Sequence, residues 1–445
     1  MNAPIDLDRA DGAWEADRAD GALDPDRADG AWDADRAEDA WSMPLDRIDV
    51  SQPRLYQEDS WDPYFARLRR DDPVHHTRDG MYGSFWSVTK YADIMKVDTN
   101  HKVFSSDAMM GGIVIRDVPM DFRRPSFISM DPPKHDEQRK VVSPIVAPMN
   151  LAKLSGTIRE RACRILDGLP RGEVFDWVDR VSVELTTQML ATLFDFPFEE
   201  RRKLTYWSNV ASVNTRAGTE IDTEEKRDAV LQGAVEYFTE LWNERAAQPP
   251  RADLISMLAH GEATRDLPSR PNEFMGTLLL LIVGGNDTTR NSISGGLWAL
   301  NQNPGEYDKL RANPALIPSL VPEIIRWQSP VIHMRRTALE DTELSGKQIR
   351  KGEKVVMWYI SGNRDEDGID RANEFIIDRA RPRQHLSFGF GIHRCVGNRL
   401  AEMQLSILWE EILKRFPVIE VVEPPTRGYS NLIRGITSMK VRIPA

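Results

Sequence analysis

The ten residues FGFGIHRCVG, Phe388 to Gly397, carry one of the chain's two cysteines. The run that follows, NRLAEMQLSILWEEILKRF, has the apolar spacing of an amphipathic helix. Cys395 is therefore expected just ahead of a helix N-terminus, where free amides and the positive end of the helix dipole favour thiolate over thiol. Gly389, Gly391 and Gly397 let backbone come close to the sulfur or adopt positive φ. Such a thiolate can act as nucleophile, redox thiol or metal ligand. A structural cysteine in a glycine-rich turn is the alternative that these residues alone leave open.

Two more clusters carry chemical groups in unusual settings. GGNDTTR, Gly284 to Arg290, follows the apolar run LLLLIV. A glycine inside a helix costs about 1 kcal/mol relative to alanine, so the pair Gly284–Gly285 needs a reason. Close helix packing is one; a helix that opens over a ligand is the other. The Thr288 hydroxyl can reach the Gly284 carbonyl four residues back and bend the helix there. Asp287 places a carboxylate in apolar surroundings, which is costly unless it is paired or used. In PEIIRW, Glu323 and Arg326 stand three apart and share one helix face. In MDPPKHDEQRK, His135 and Arg139 stand at i and i+4 on a helix expected to start near Pro132–Pro133.

The elements that must position these groups are mostly helical. WDPYFARLRRDDPVHH reads as a short helix ending before Pro73, and FWSVTKYADIMKVDTN as strand, turn and helix. Helical patterns dominate from Leu151 to about Ala247. Pro271 opens a long helix that runs to about Asn303, ahead of Pro304. Its middle is apolar all round, which marks a buried helix. SLVPEIIRWQSP is another short helix. TELSGKQIRKGEKVVMWYI alternates like a hairpin with its turn near Lys351–Gly352. The expectation is a mainly α fold with a minor β part, and no boundary divides residues 43–445.

Phe-Gly-x-Gly-x-His-x-Cys-x-Gly resembles the cysteine loop of the cytochrome P-450 family, in which the thiolate is the haem's axial ligand. Gly284, Gly285, Asp287 and Thr288 resemble that family's oxygen-binding groove, (Ala/Gly)-Gly-x-Asp-Thr. Glu323 and Arg326 are similar to its Glu-x-x-Arg pair. The family often supplies a third, basic partner just before the Phe equivalent to Phe375; Glu374 stands there instead. The resemblance covers about 400 residues. It implies the cytochrome P-450 fold, with haem b between the long central helix and the cysteine-loop helix. Cys395 would ligate the iron, with Phe388 and Gly285 against the haem and His135, Arg139, Arg336 and His393 at its propionates. The implied reaction is reductive activation of O2 and insertion of one oxygen atom into a C–H bond, with Thr288 and Asp287 delivering protons. Without a flavin or dinucleotide domain in the sequence, electrons would come from a ferredoxin and its reductase. Lys134, Arg139, Lys140, Arg383 and Arg394 offer a basic patch to an acidic ferredoxin, though solvated surface charge is an equal reading for all but Arg139.

The segments matching the family's substrate-contact regions are MMGGIVI (Met109 to Ile115), the leucine run before Gly284, VIHM (Val331 to Met334) and NLIRG (Asn431 to Gly435). They suit a flexible, apolar small molecule. Their wording, with FISMDPP and HLSFGFGIHRC, is similar to the bacterial alkane terminal hydroxylases. That implies attack on the end methyl of medium-chain alkanes or fatty acids. The alternatives are a hydroxylase of another lipid, terpenoid or steroid, or a haem-thiolate sensor. A sensor would keep Cys395 but would not need Asp287 and Thr288. His75, His76 and His101 match nothing and read as structural.

Composition excludes other classes. Residues 1–41 hold 13 acidic residues against 4 arginines, so the chain's net charge of −11 leaves a body of 56 acids and 54 Lys/Arg that is nearly neutral. That gives no case for nucleic-acid binding. The acidic stretch repeats DRADGAWEA with a nine-residue period. At about 100° per residue, nine steps leave successive copies half a turn out of phase, so Trp14, Leu23, Trp32 and Trp41 form no common stripe. Dense charge and low hydrophobicity point to a disordered tail over residues 1–42, beside a single monooxygenase domain over 43–445. A docking tail with tryptophan anchors is the other reading. No run approaches a membrane span, no signal peptide is evident, and two cysteines make no disulfide framework. The expected location is the cytoplasm, with no stable membrane anchor.

Overall fold

The structure, a computed structural model, describes residues 37–212, 214 and 219–445. Pro271 fixes the first helical φ of its longest element, Pro271–Gln302, a continuous helix of 32 residues. Residues 273–278 and 289–297 are buried in unbroken succession, so the helix is covered on every side there, as its apolar circumference requires. The helices Glu184–Phe194, Arg202–Ser212 and Ile317–Gln328 pack directly against it. Close approach to the last uses glycine: a side chain at Gly296 would press on Ile324, and one at Gly295 on Gln328.

Beside the helices lies a five-stranded sheet in the order Val74–Gly80, Gly83–Val88, Lys354–Trp358, His333–Ala338, Phe104–Ser105. The stretch Phe85 to Asn100 forms the expected strand, turn and helix, Gly83–Val88 followed by Tyr91–Thr99. The hairpin differs from expectation. Its turn is at Ser345–Gly346, where both residues have positive φ, between strands Thr342–Leu344 and Lys347–Ile349. Gly352 makes a second turn, and Lys354–Trp358 then pairs antiparallel with His333–Ala338. Alternation read through two turns as one hairpin because both turn glycines sit between apolar strands. The pairing places Arg336 opposite Val355.

The nonapeptide repeat lies outside the described residues apart from its end. Ala37–Ser42, within the stretch assigned to the tail, is a helix. Its Ala40 is buried and its carbonyl accepts from Arg67, while Trp41 meets the Arg70 guanidinium. Among the described residues, no helix is long and apolar enough to cross a membrane.

Candidate active site

Cys395 lies between a short 3-10 turn, Gly391–His393, and the helix Asn398–Arg415. Gly389 and Gly391 take φ of 63° and 66°. This folds the loop back so that the Cys395 amide donates to the Phe388 carbonyl at 2.8 Å. The sulfur is enclosed by protein yet open to an internal cavity whose wall it forms. Burial pushes the thiol up, while the backbone N–H groups of Gly397 and Asn398 and the Arg139 and Arg394 charges pull it down. A metal cation above the sulfur would settle that contest, because coordination deprotonates a thiol outright. Among the described residues there is no cluster of three or more His, Cys, Asp or Glu side chains able to hold a metal. A macrocycle would supply the other ligands of a metal held at Cys395.

Of the four residues expected at the propionates, Arg139, Arg336 and His393 line this cavity, and His135 packs against His393. The rings of His135 and His393 meet edge to face with centroids 4.5 Å apart. His135 Nδ1 lies 2.7 Å from Asp136, and His393 Nε2 lies 2.6 Å from the Ser106 hydroxyl. The remaining nitrogens, His135 Nε2 and His393 Nδ1, are buried without a partner. Burial, then Arg336, His135 and Arg139, pushes His393 down to about 2, so its ring is neutral here. Arg139 donates to the Arg394 carbonyl, and both Arg139 and Arg336 face the cavity. Two buried nitrogens lacking partners beside two arginines fit a ligand that brings buried anionic oxygens, as haem propionates do.

Across the cavity lies the middle of the long helix. Gly284, Gly285 and Thr288 line the wall. The two glycines have separate reasons: a Cβ at Gly284 would meet nothing within 4 Å, whereas one at Gly285 would press on Leu190 at 2.8 Å. Gly284 leaves room for a ligand and Gly285 permits helix packing. The Thr288 hydroxyl donates to the Gly284 carbonyl at 3.1 Å, and the helix stays continuous there rather than breaking. Asp287 does not share the wall. Its carboxylate is wholly buried, turned about 100° around the helix from Thr288, accepting from the Ser208 hydroxyl at 2.9 Å and paired with Arg290 at 2.9 Å. Its Oδ2 is buried with no partner.

Glu323 and Arg326 are both fully buried and form a two-point pair, at 2.8 and 2.7 Å. Arg326 also donates to the carbonyls of Asn363, Ala372 and Glu374. The third, basic partner is present after all. Arg379 reaches both oxygens of Glu323, at 3.0 and 3.2 Å, from five positions beyond Glu374. A rule tied to one sequence position missed it, because the loop before Phe375 brings a later residue back to the same carboxylate.

The cavity holds about 500 Å³. Ile113, Leu280, Val331, Met334, Leu432 and Ile433 line it, so all four expected segments contribute. Met109 and Met110 instead point outward, 57 and 41% exposed. Sequence reading missed the polar end. There Arg116 pairs with Glu224 and Arg124 with Asp228, tying the loop before residue 128 to the helix Glu224–Ala246. These partners are more than a hundred residues apart and carry no local signal. Of the expected basic patch, Lys134 is paired with Glu273 and Arg383 with Glu402. Lys140 and Arg394 are exposed, and Arg394 lies over the Phe390 ring.

The family model described as cytochrome P-450 matches residues 172–440. Linalool 8-monooxygenase of Pseudomonas putida is 37% identical over 405 residues, which cover 89% of this chain and 99% of that one. Among solved structures, CYP153D17 from Sphingomonas sp. PAMC 26605 superposes with a TM-score of 0.84 at 46% identity, covering 90% of this chain and 100% of the other. Cytochrome P-450-153 from Novosphingobium aromaticivorans gives 0.82 at 44% identity, covering 88 and 98%.

Proposed function

The chain belongs to the cytochrome P-450 family of haem b monooxygenases, and on that premise we propose that it hydroxylates the terminal methyl group of medium-chain alkanes or fatty acids. The observation that carries this reading is the aliphatic wall of the cavity beside Gly284 and Thr288, lined by Leu280, Val331, Leu432 and Ile433. A flexible apolar chain fills such a wall without leaving a polar group unpaired.

Bound haem b supplies the O2 activation and the oxygen transfer. In this reading Cys395 holds the iron, and His135, Arg139, Arg336 and His393 hold the propionates. The aliphatic wall presses the substrate toward Gly284 and keeps bulk water out. Thr288 holds a proton at its Oγ on the cavity wall. Asp287 stands behind it in the same helix turn, held by Ser208 and Arg290. When its carboxylate turns from Arg290 toward water, it takes a proton from that water and passes it on to restore the one given up at Thr288. A ferredoxin and its reductase would supply the electrons, the ferredoxin docking where Lys140 and Arg394 are exposed.

A titration of the ferric holoenzyme with dodecane, dodecanoic acid, linalool and a steroid tests the substrate class. A ligand that fits displaces the water on the iron and moves the Soret band to shorter wavelength. We expect the response from the straight chains, with the terminal alcohol as product. A response from linalool alone favours the terpenoid reading, which the Pseudomonas putida relative supports.

Thr288→Ala retains haem and substrate binding but sends most reducing equivalents to hydrogen peroxide. Product formed per NADH falls by about a hundredfold, the low end for loss of a proton-transfer group. An unchanged ratio removes Thr288 from proton delivery.

A further inference from the structure

We propose that Asp98 is a positioning residue that sets the reduction potential of the bound haem by sharing the guanidinium of Arg336 with a haem propionate. This rests on the haem-thiolate reading above. Asp98 lies near the end of the helix Tyr91–Thr99 and is 2% exposed. Its Oδ1 accepts from Arg336 Nη2 at 2.8 Å. Its Oδ2 accepts from the Tyr359 hydroxyl at 3.0 Å and from the Phe390 amide at 2.7 Å. Burial pushes the Asp98 carboxyl up from its usual value, while the Arg336 charge, the Phe390 amide and the Tyr359 hydroxyl favour its charged form, and three donors suit a carboxylate acceptor.

The contact with Phe390 matters because Phe390 is in the cysteine loop. The loop is drawn onto Asp98: a Cβ at Gly391 would come within 2.6 Å of the Asp98 carbonyl, and one at Gly389 within 3.3 Å of its Oδ2. The same carboxylate therefore fixes the backbone that carries Cys395 and the arginine that faces the cavity. Arg336 is 3% exposed and donates its Nη1 to the Arg335 carbonyl. The donors it has left are the ones a propionate can use. Asp98 thus holds a fixed negative charge against the cation that would otherwise act on the haem alone. Reduction adds one electron to the haem, so a nearby negative charge opposes it and a positive charge favours it.

A charge cycle in the holoenzyme tests the inference, with potentials measured by spectroelectrochemical titration of substrate-free protein. Asp98→Asn keeps the shape and removes the charge, and its potential rises. Arg336→Gln lowers the potential. The double variant removes both charges and returns close to wild type. At an effective dielectric of about 20, each single change is expected to alter the one-electron equilibrium about tenfold, which is 59 mV. Tyr359→Phe removes a neutral donor and should leave the potential in place.

Single variants that shift in the same direction, or Asp98→Asn that keeps its haem without a shift, overturn the inference. So does a Tyr359→Phe shift as large as that of Asp98→Asn. If Asp98→Asn does not retain haem, the other two variants decide. A double variant that returns from the lowered Arg336→Gln potential supports the coupling, and one that stays with it overturns the coupling. The wild-type ferrous CO spectrum is recorded alongside. Loss of the thiolate band there would sink the haem-thiolate reading itself, whereas unmoved potentials beneath an intact band sink only the role of Asp98.

Discussion

Cys395→Ser yields folded protein that lacks the strongly red-shifted Soret band of the ferrous CO complex and forms no hydroxylated product above background. The serine oxygen is smaller than the sulfur and fits the same loop, since the Cys395 amide, not the side chain, makes the bond to Phe388. What is lost is an anionic sulfur donor. Thiolate donation pushes electron density to the iron and favours O–O cleavage, and a neutral hydroxyl does not replace it. The drop in turnover is expected to exceed about a thousandfold, of the order of removing a main electrostatic contributor. Cys163→Ser is the matched control. Cys163 lies on the helix Pro148–Asp167 with its Sγ 3.4 Å from Glu411, and its replacement should leave the band intact. A wild-type band at the position typical of histidine-ligated haem would remove Cys395 as axial ligand.

Much of this site is legible in the sequence because its groups lie close together along the chain. The cysteine loop is ten consecutive residues, and its glycines are required by the turn they make. The Thr288 hydroxyl and Gly284 carbonyl are one helical turn apart, as are Glu323 and Arg326, so the helix alone brings each pair together. What is hidden depends on direction or on distance. Asp287 and Thr288 are adjacent, yet about 100° of helix rotation separates them. Thr288 faces the cavity, and Asp287 faces Ser208 and Arg290. Spacing shows that both are present; only the packing of the helix Arg202–Ser212 shows which one faces inward. Asp98 and Arg379 were missed for a related reason. Each acts on a residue far from it in sequence, 238 positions in one case and 56 in the other. Nothing in the composition around either marks it. The fold repeats the pattern: single helices and strands are local, whereas the partner of Lys354–Trp358 is decided by tertiary pairing with His333–Ala338.

The buried Glu323 carboxylate makes the second large prediction. Arg326 has five N–H donors, and each has an acceptor: two on Glu323 and one each at the carbonyls of Asn363, Ala372 and Glu374. Glu323 in turn accepts from Arg326, Arg379 and the Ile376 amide. The network joins the helix Ile317–Gln328 to the segment that leads into the cysteine loop. Glu323→Gln turns an amide NH2 toward two guanidinium groups and leaves buried positive charge uncompensated. Removing one partner of a buried pair costs about 3–5 kcal/mol, a large part of the 5–15 kcal/mol that holds a typical protein folded. The variant is expected to melt several degrees lower and to purify with less haem. Burial pushes the Glu323 carboxyl up, but Arg326 and then Arg379 outweigh it and hold it below the usual glutamate value. The stabilisation is therefore complete above the unfolded glutamate pKa and is lost as pH falls through the lower folded value. Wild type should lose its advantage over Glu323→Gln on acidification across that window. Melting curves of the two proteins that stay equally far apart from neutral to acid pH would assign the loss to packing instead of charge.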